Sequence, residues 1–435
     1  MPRRRPSFVF ILADDLGYAD LGVYGARMRC TPHLDRMAAE GLRFTDAYAN
    51  SPVCSPTRFA LMTGRYQYRL RGGAEEPIAG AARGRSDLGL PPSHPTLPSL
   101  LRDAGYHTAL VGKWHLGYPP DFGPTLSGYA EFFGPVGGAV DYFSHRDTRG
   151  VHDLYEGDCE ITKAGYLTDL VSDRSCEVIR AQPVERSFLL SVHYTAPHWP
   201  WEARDDADES ARIAASLLHV DGGSVATYCS MVRQMDEGIG AILGALDATG
   251  RREDTLVVFT SDNGGERFSD TWPLVGGKME LLEGGIRVPL LARWPDAIAS
   301  GMTTGQVAIT MDWAATMLEV AGVAPDADYP LDGMSLLTTF ADPSRIVERE
   351  LFWRMKHRDQ RAVRVGDWKY LAREGFEYLY DLSVDPRERA NLAKRVPQRF
   401  AELRSRYARW ATTMPEIPQD ASVSLVYKPG DIAAS

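Results

Sequence analysis

An α/β layered fold with a small sheet domain at its C-terminal end is predicted by three features of this sequence. Short apolar runs recur without polar alternation, as strands buried on both faces require. Amphipathic stripes at helical spacing lie between those runs. From about residue 345 the pattern changes to brief strand-like stretches joined by tight turns.

The apolar runs are Ser7–Ala13 and residues 107–111, 188–192 and 255–260. Residues 98–104 read as a helix through Leu97, Leu100, Leu101 and Ala104. The longest stripe covers 225–246, from Val225 and Tyr228 through Val232, Met235 and Ile239 to Leu246, with Gly250 placed to end it. A further helix fits 311–320. Alternation of strand and helix implies a layered α/β domain. Beyond it, 350–356, 361–365, 368–371 and 378–381 read as short strands, with a turn at Gly366-Asp367. An amphipathic helix over 397–410 completes the chain's pattern. The expected division is a main domain over 1–345 and a small antiparallel-sheet domain over 346–435.

At 435 residues, 44% hydrophobic and 24% charged, the chain has the composition of a globular protein with a large core. Forty-eight basic against 58 acidic side chains leave a net charge of −10. An acidic surface argues against a nucleic-acid partner, although a local pocket can still be positive and take a small anion. The apolar run after the basic N-terminus ends at Asp14-Asp15, too short for a secretory core, and no stretch is long enough to span a membrane. The five cysteines, Cys30, Cys54, Cys159, Cys176 and Cys229, show no paired spacing. They read as reduced thiols, or as one special cysteine among bystanders, and the expected location is cytoplasmic.

The chemistry lies in the residues just past the end of each strand. Ser7–Ala13 leads into Asp14-Asp15, and 107–111 into Gly112-Lys113-Trp114-His115. Residues 188–192 lead into His193 and on to Pro197-His198, and 255–260 into Ser261-Asp262-Asn263-Gly264. Ligands of open α/β sheets bind beyond the carboxyl ends of the strands, so these residues are expected to converge. Asp14, Asp15, Asp262 and Asn263 offer only oxygen, which suits a hard cation such as calcium or magnesium. Taken singly, the first pair also fits a helix cap and the second a plain turn. Lys278, after Gly276-Gly277, is a lysine in a loop where glycines allow close approach. In Cys54-Ser55-Pro56-Thr57-Arg58, Pro56 suits a first helical turn with Ser55 as N-cap. That would put Cys54 at an anion-binding helix start, either as a nucleophile or as a small buried apolar residue.

These blocks resemble one family. Cys54-Ser55-Pro56-Thr57-Arg58, continued by Leu61-Met62-Thr63-Gly64-Arg65, is similar to the Cys-x-Pro-x-Arg signature of the type I sulfatases. The segments around Asp14-Asp15, Lys113-Trp114-His115, Pro197-His198, Asp262-Asn263 and Glu283-Gly284-Gly285 agree with that family in order and spacing. Trp368-Lys369-Tyr370 and Leu379-Tyr380-Asp381 resemble its C-terminal domain. The resemblance implies an alkaline-phosphatase-like α/β/α sandwich around a large mixed sheet, with a smaller C-terminal domain carrying a short antiparallel sheet and a helix. It implies hydrolysis of a sulfate monoester, aryl or carbohydrate. It also implies that a formylglycine-generating enzyme converts Cys54 to 3-oxoalanine (Cα-formylglycine), whose hydrate attacks sulfur. One calcium ion would be held by Asp14, Asp15, Asp262, Asn263 and the group derived from Cys54. Arg58 would hold the hydrate, Lys113 and Lys278 the sulfate oxygens, and His198 would serve the leaving oxygen. His115 would take the proton whose loss expels sulfate.

Between Lys278 and Glu283 the chain reads Met279-Glu280-Leu281-Leu282, where many relatives carry small residues and an aromatic; this loop is expected to border the pocket. The same site in relatives also takes phosphonate monoesters or phosphodiesters, and a scaffold of this kind can bind sulfated glycan without cleaving it. Trp114, Trp199, Trp201 and Trp272 are candidates for stacking on the released alcohol or for plain packing.

Overall fold

The computed structural model describes residues 5–213 and 216–424. A ten-stranded mixed sheet forms the main domain. Its centre is parallel. Ser7–Ala13 lies between Phe188–His193 and Thr255–Ser261, His107–Gly112 flanks Phe188–His193, and Glu131–Gly134 follows outside it. Leu290–Arg293 and Leu42–Phe44 extend one side in antiparallel pairing, and a short hairpin of Tyr155–Glu156 and Cys159–Glu160 closes the other. The strands read from sequence match to within one residue, because a run buried on both faces carries an uninterrupted apolar signal.

Each face of the sheet has its own core. Val9 and Ile11 of the first strand join Leu34, Val171, Val178, Val232 and Ile239 on one side. Phe8, Phe10 and Leu12 point to the other side, among Phe59, Leu61, Leu101, Trp313 and Met317. The period-two alternation of a strand thus feeds two helix layers. Helices Pro32–Ala39, Leu167–Ala181 and Val225–Ala248 cover the first face, and Cys54–Thr63, Leu97–Asp103 and Asp312–Ala321 the second.

The C-terminal part is a four-stranded antiparallel meander, Glu350–Met355, Gln360–Val365, Trp368–Arg373 and Phe376–Asp381, against which Pro397–Ala411 packs. Its core is shared with the main domain through Tyr48, Val53, Ala60, Leu281 and Ile286.

Two expectations are corrected. Cys30 and Cys229 form a disulfide across 199 residues of sequence, leaving Cys54, Cys159 and Cys176 free. The chain is therefore not a set of reduced thiols, and the cytoplasmic expectation loses the support it drew from them. Ser55 does not cap its helix. Cys54–Thr63 begins at Cys54 itself with Val53 in the cap position, and the Ser55 hydroxyl instead accepts the Ile78 N–H at 2.9 Å.

Candidate active site

Beyond the carboxyl ends of the central strands the side chains meet as the strand register requires. Leu12 pairs with His193, Ala13 with Ser261, and Gly112 with His193. Residues that come after these positions therefore leave the sheet at one level. Asp14, Asp15, Cys54 and Asp262 bring one ligand atom each within 4.8 Å of one another, and all are buried. Cys54 Sγ lies 3.3 Å from Asp14 Oδ1. Asn263 donates from Nδ2 to Asp15 Oδ1 at 2.7 Å, while its Oδ1 is buried without a partner. An orphaned amide oxygen beside three carboxylates is a donor set suited to a hard cation.

Cations of the protein flank these acids. Arg58, fully buried, reaches Asp262 Oδ2 at 2.8 Å and Asp14 Oδ2 at 3.3 Å, and also donates to the Lys113 carbonyl. Lys113 Nζ donates to Asp14 Oδ2 and Lys278 Nζ to Asp15 Oδ2, the latter at 2.7 Å. Burial alone raises a carboxyl pKa. At Asp14 the charges of Lys113, His198 and Arg58 outweigh that burial, so its pKa falls below the usual value. At Asp262 burial prevails, with Asp14 adding to it, and the pKa is pushed up to about 7. Lys278 rises well above the usual lysine value because the charge of Asp15 overcomes its burial. Burial, seconded by Asp14, raises the Cys54 thiol well above its normal range, so Cys54 is held as a thiol rather than a thiolate.

The two histidines differ in tautomer. His115 Nε2 lies 2.7 Å from the Ile78 carbonyl, which only accepts, so Nε2 carries the hydrogen and the buried, unpartnered Nδ1 is a free acceptor. His198 does the reverse. Its Nδ1 bonds the Trp199 carbonyl at 2.7 Å, and Nε2 faces Asp15 Oδ2 at 3.6 Å. Burial holds both well below the usual histidine value, with Lys113 adding at His115 and Lys278 at His198. His115 has φ of 61°, and a Cβ on Gly138 would sit 2.4 Å from its ring, so position 138 admits only glycine if the ring is to keep its place.

A cavity of about 360 Å³ opens onto Cys54, His115, His198 and Lys278. Its walls add Ile78, Tyr118, Gly138, Trp199, Met279 and Ser424. Met279 borders the pocket as expected, whereas Glu280 turns away to Arg373 and Leu281 is buried. Of the tryptophans, Trp199 lines the cavity, Trp114 and Trp201 are packing residues, and Trp272 is 57% exposed away from it. Ile78, Tyr118, Gly138 and Ser424 were not legible as site residues. Ile78 acts through its carbonyl and Gly138 through lacking a side chain, so only the Gly137-Gly138 pair gave any signal.

The fold and this constellation define a hydrolase built to hold an anionic ester against buried cations. The sulfatase profile matches residues 6–323, and the C-terminal profile of N-sulphoglucosamine sulphohydrolase matches 277–409. The chain belongs to the sulfatase family, in the alkaline phosphatase superfamily, and is a sulfatase enzyme. It is 36% identical to N-acetylgalactosamine-6-sulfatase of Rattus norvegicus over 84% of this chain and 71% of that one. It is 31% identical to arylsulfatase A of Homo sapiens over 89% and 83% respectively. The crystal structure of Ps i-CgsB in complex with k-i-k-neocarrahexaose superposes with a TM-score of 0.85 at 27% identity, covering 96% of this chain and 95% of that one. The alkaline-phosphatase-like α/β architecture with its antiparallel C-terminal sheet thus stands as the resemblance implied.

Proposed function

We propose that this chain hydrolyses a sulfate monoester carried on a carbohydrate, using Cys54 after its conversion to formylglycine and one bound calcium ion. The observation that carries the reading is Cys54 at the first turn of a buried helix, 3.3 Å from Asp14 and clustered with the carboxylates of Asp15 and Asp262. A carbohydrate is favoured because the cavity of about 360 Å³ suits a sugar ring, and because the names of the similar proteins refer to amino-sugar sulfate and neocarrahexaose. A formylglycine-generating enzyme is the maturation partner the reading requires.

The residues fit both groups. Asp14, Asp15, Asp262 and Asn263 would hold the cation, with the unpartnered Asn263 oxygen as its neutral donor. When bound, calcium supplies positive charge beside the ester oxygens, and the hydrated aldehyde supplies an oxygen nucleophile that a thiol does not. Lys113 Nζ bonds Asp14 and Lys278 Nζ bonds Asp15, and the reading gives their ammonium groups to the sulfate oxygens. His198 lines the cavity, and the reading gives it the leaving alcohol oxygen. His115 Nδ1 is a proton acceptor held in a fixed tautomer. Arg58 orients Asp14 and Asp262 and offsets their charge.

The test compares sulfate monoesters of sugars and of a phenol with phosphate monoesters and phosphodiesters under one condition, with Cys54→Ala as control. Sugar sulfates are expected to give the highest kcat/KM, and Cys54→Ala none. Faster turnover of a phosphodiester by orders of magnitude would replace the reading with phosphorus-ester hydrolysis. Saturable sulfated-glycan binding without product would reduce the chain to a binding protein.

A further inference from the structure

The chain returns to the active site after the helix Pro397–Ala411. Residues 421–424 lie beside Glu75 and Glu76, joined by a single parallel bridge between Glu76 and Val423. Glu76 N–H donates to the Ser422 carbonyl at 3.0 Å, and Ser424 N–H to the Glu76 carbonyl at 2.8 Å. The Glu75 carboxylate accepts both the N–H and the hydroxyl of Ser422. Glu76 is buried and accepts from Lys356 and His357 of the C-terminal sheet domain, while Lys356 Nζ holds the carbonyls of Gln419 and Ala421. The loop so clamped runs directly into Pro77, Ile78 and Gly80, one wall of the cavity, and Ser424 lines the same cavity. Ile78 is fixed at both ends of its peptide. Its N–H bonds Ser55 on the helix that Cys54 opens, and its carbonyl bonds His115 Nε2.

We infer that residues 421–424 are a positioning strap for His115: by pairing with Glu75 and Glu76 they hold the Ile78 carbonyl that fixes the imidazole with its hydrogen on Nε2 and its acceptor on Nδ1. The strap completes a chain of contacts from the C-terminal sheet domain to the catalytic pocket. A backbone carbonyl on a loop holds a ring only as firmly as the loop is held. Without the strap, residues 75–80 keep the Ser55 bond and the bonds from Lys356 and His357 to the Glu76 carboxylate, but lose the backbone pairing of Glu76 with Ser422 and Ser424. The consequence for turnover rests on the sulfatase reading of His115; the consequence for the imidazole does not.

The experiment reads imidazole ¹⁵N shifts of histidine-labelled protein with Cys54 unconverted, His115 being assigned by His115→Gln. Full-length protein and a chain ending at Ser424 are expected to share one pattern, a hydrogen-bearing Nε2 and a bare Nδ1. A chain ending at Asp420 is expected to move both nitrogens toward the tautomer average. In matured enzyme the same truncation is expected to lower kcat about tenfold. Glu75→Ala, which keeps the chain intact, is expected to give a smaller shift of the same sign should the truncation not fold, and Glu75→Gln to restore the pattern in part. Unchanged nitrogen shifts in both the truncation and Glu75→Ala overturn the inference, even if activity falls. Shifted nitrogens in a protein whose full-length form hydrolyses no ester leave the strap in place and remove the sulfatase reading instead.

Discussion

The chain buries charge in two places, and they are built differently. At the junction of the two domains, Lys369 Nζ lies 2.9 Å from both Glu283 and Glu388, fully enclosed. Glu283 also accepts from the Tyr48 hydroxyl at 2.6 Å, and its backbone N–H donates to Glu388. Burial works against Glu283, but Lys369, Arg287 and Arg364 bring its pKa down to about 2. That cluster pairs its charges within itself, and Glu388 Oε1, which accepts no hydrogen bond, still meets the Lys369 ammonium at 2.9 Å. The cluster around Asp14 is also dense in charge but leaves acceptors open: Asn263 Oδ1 and His115 Nδ1 have no protein partner, and the cavity reaches Cys54 and Lys278. Buried charge costs several kcal/mol per ion unless compensated, so open valences persist where something else completes them. Closure distinguishes the structural cluster from the functional one.

Breaking the open cluster at its centre has the largest expected effect. Cys54→Ala should lower turnover on the order of 10⁴- to 10⁶-fold while leaving the melting temperature nearly unchanged, read by steady-state hydrolysis and thermal unfolding. The closed cluster should respond oppositely. Lys369→Met leaves Glu388 without its cation and Glu283 with only its arginines, and urea unfolding should show a loss of roughly 3–5 kcal/mol. Wild-type stability in that variant would show that the junction contributes nothing to holding the fold. Gly138→Ala probes the open cluster without touching a charge: the added methyl displaces the His115 ring, and kcat should fall about 10²-fold with little change in stability.

A pH-dependent effect concerns a buried acid that belongs to neither cluster. Glu202 is fully enclosed, and burial, with Asp141 adding, pushes its pKa up to about 9. The folded state therefore binds this proton more tightly than the unfolded chain, where the value is near 4.5. Stability from this group is complete below pH 4.5 and declines as pH rises toward 9. Glu202→Gln removes the titration, so its melting temperature should gain on wild type steadily from pH 5 to pH 9. A constant difference across that range would mean Glu202 is ionised throughout.

The legible parts of the molecule are those whose signal is local. The four long parallel strands and the Val225–Ala248 helix announce themselves through apolar pattern. Leu167–Ala181 does not, because Ser172, Ser175 and Cys176 interrupt its buried stripe with small polar side chains. Leu42–Phe44 and Leu290–Arg293 are too short to show a period. In the site, residues acting through charged or nucleophilic side chains at strand ends could be read from sequence. Ile78 and the strap could not, since a carbonyl belongs to every residue and Glu75 and Glu76 meet 421–424 only in the folded chain. The Cys30–Cys229 pair was hidden for the same reason: the helix packing that joins them spans 199 residues.

The central claim is that the open cluster matures around a modified Cys54. The direct measurement is the mass of the tryptic peptide covering residues 44–58, taken from protein made in its native host and shown to be active. The expected mass is one in which the sulfur of Cys54 and two hydrogens have been replaced by one oxygen. An intact Cys54 thiol throughout material that turns over a sulfate ester would contradict it.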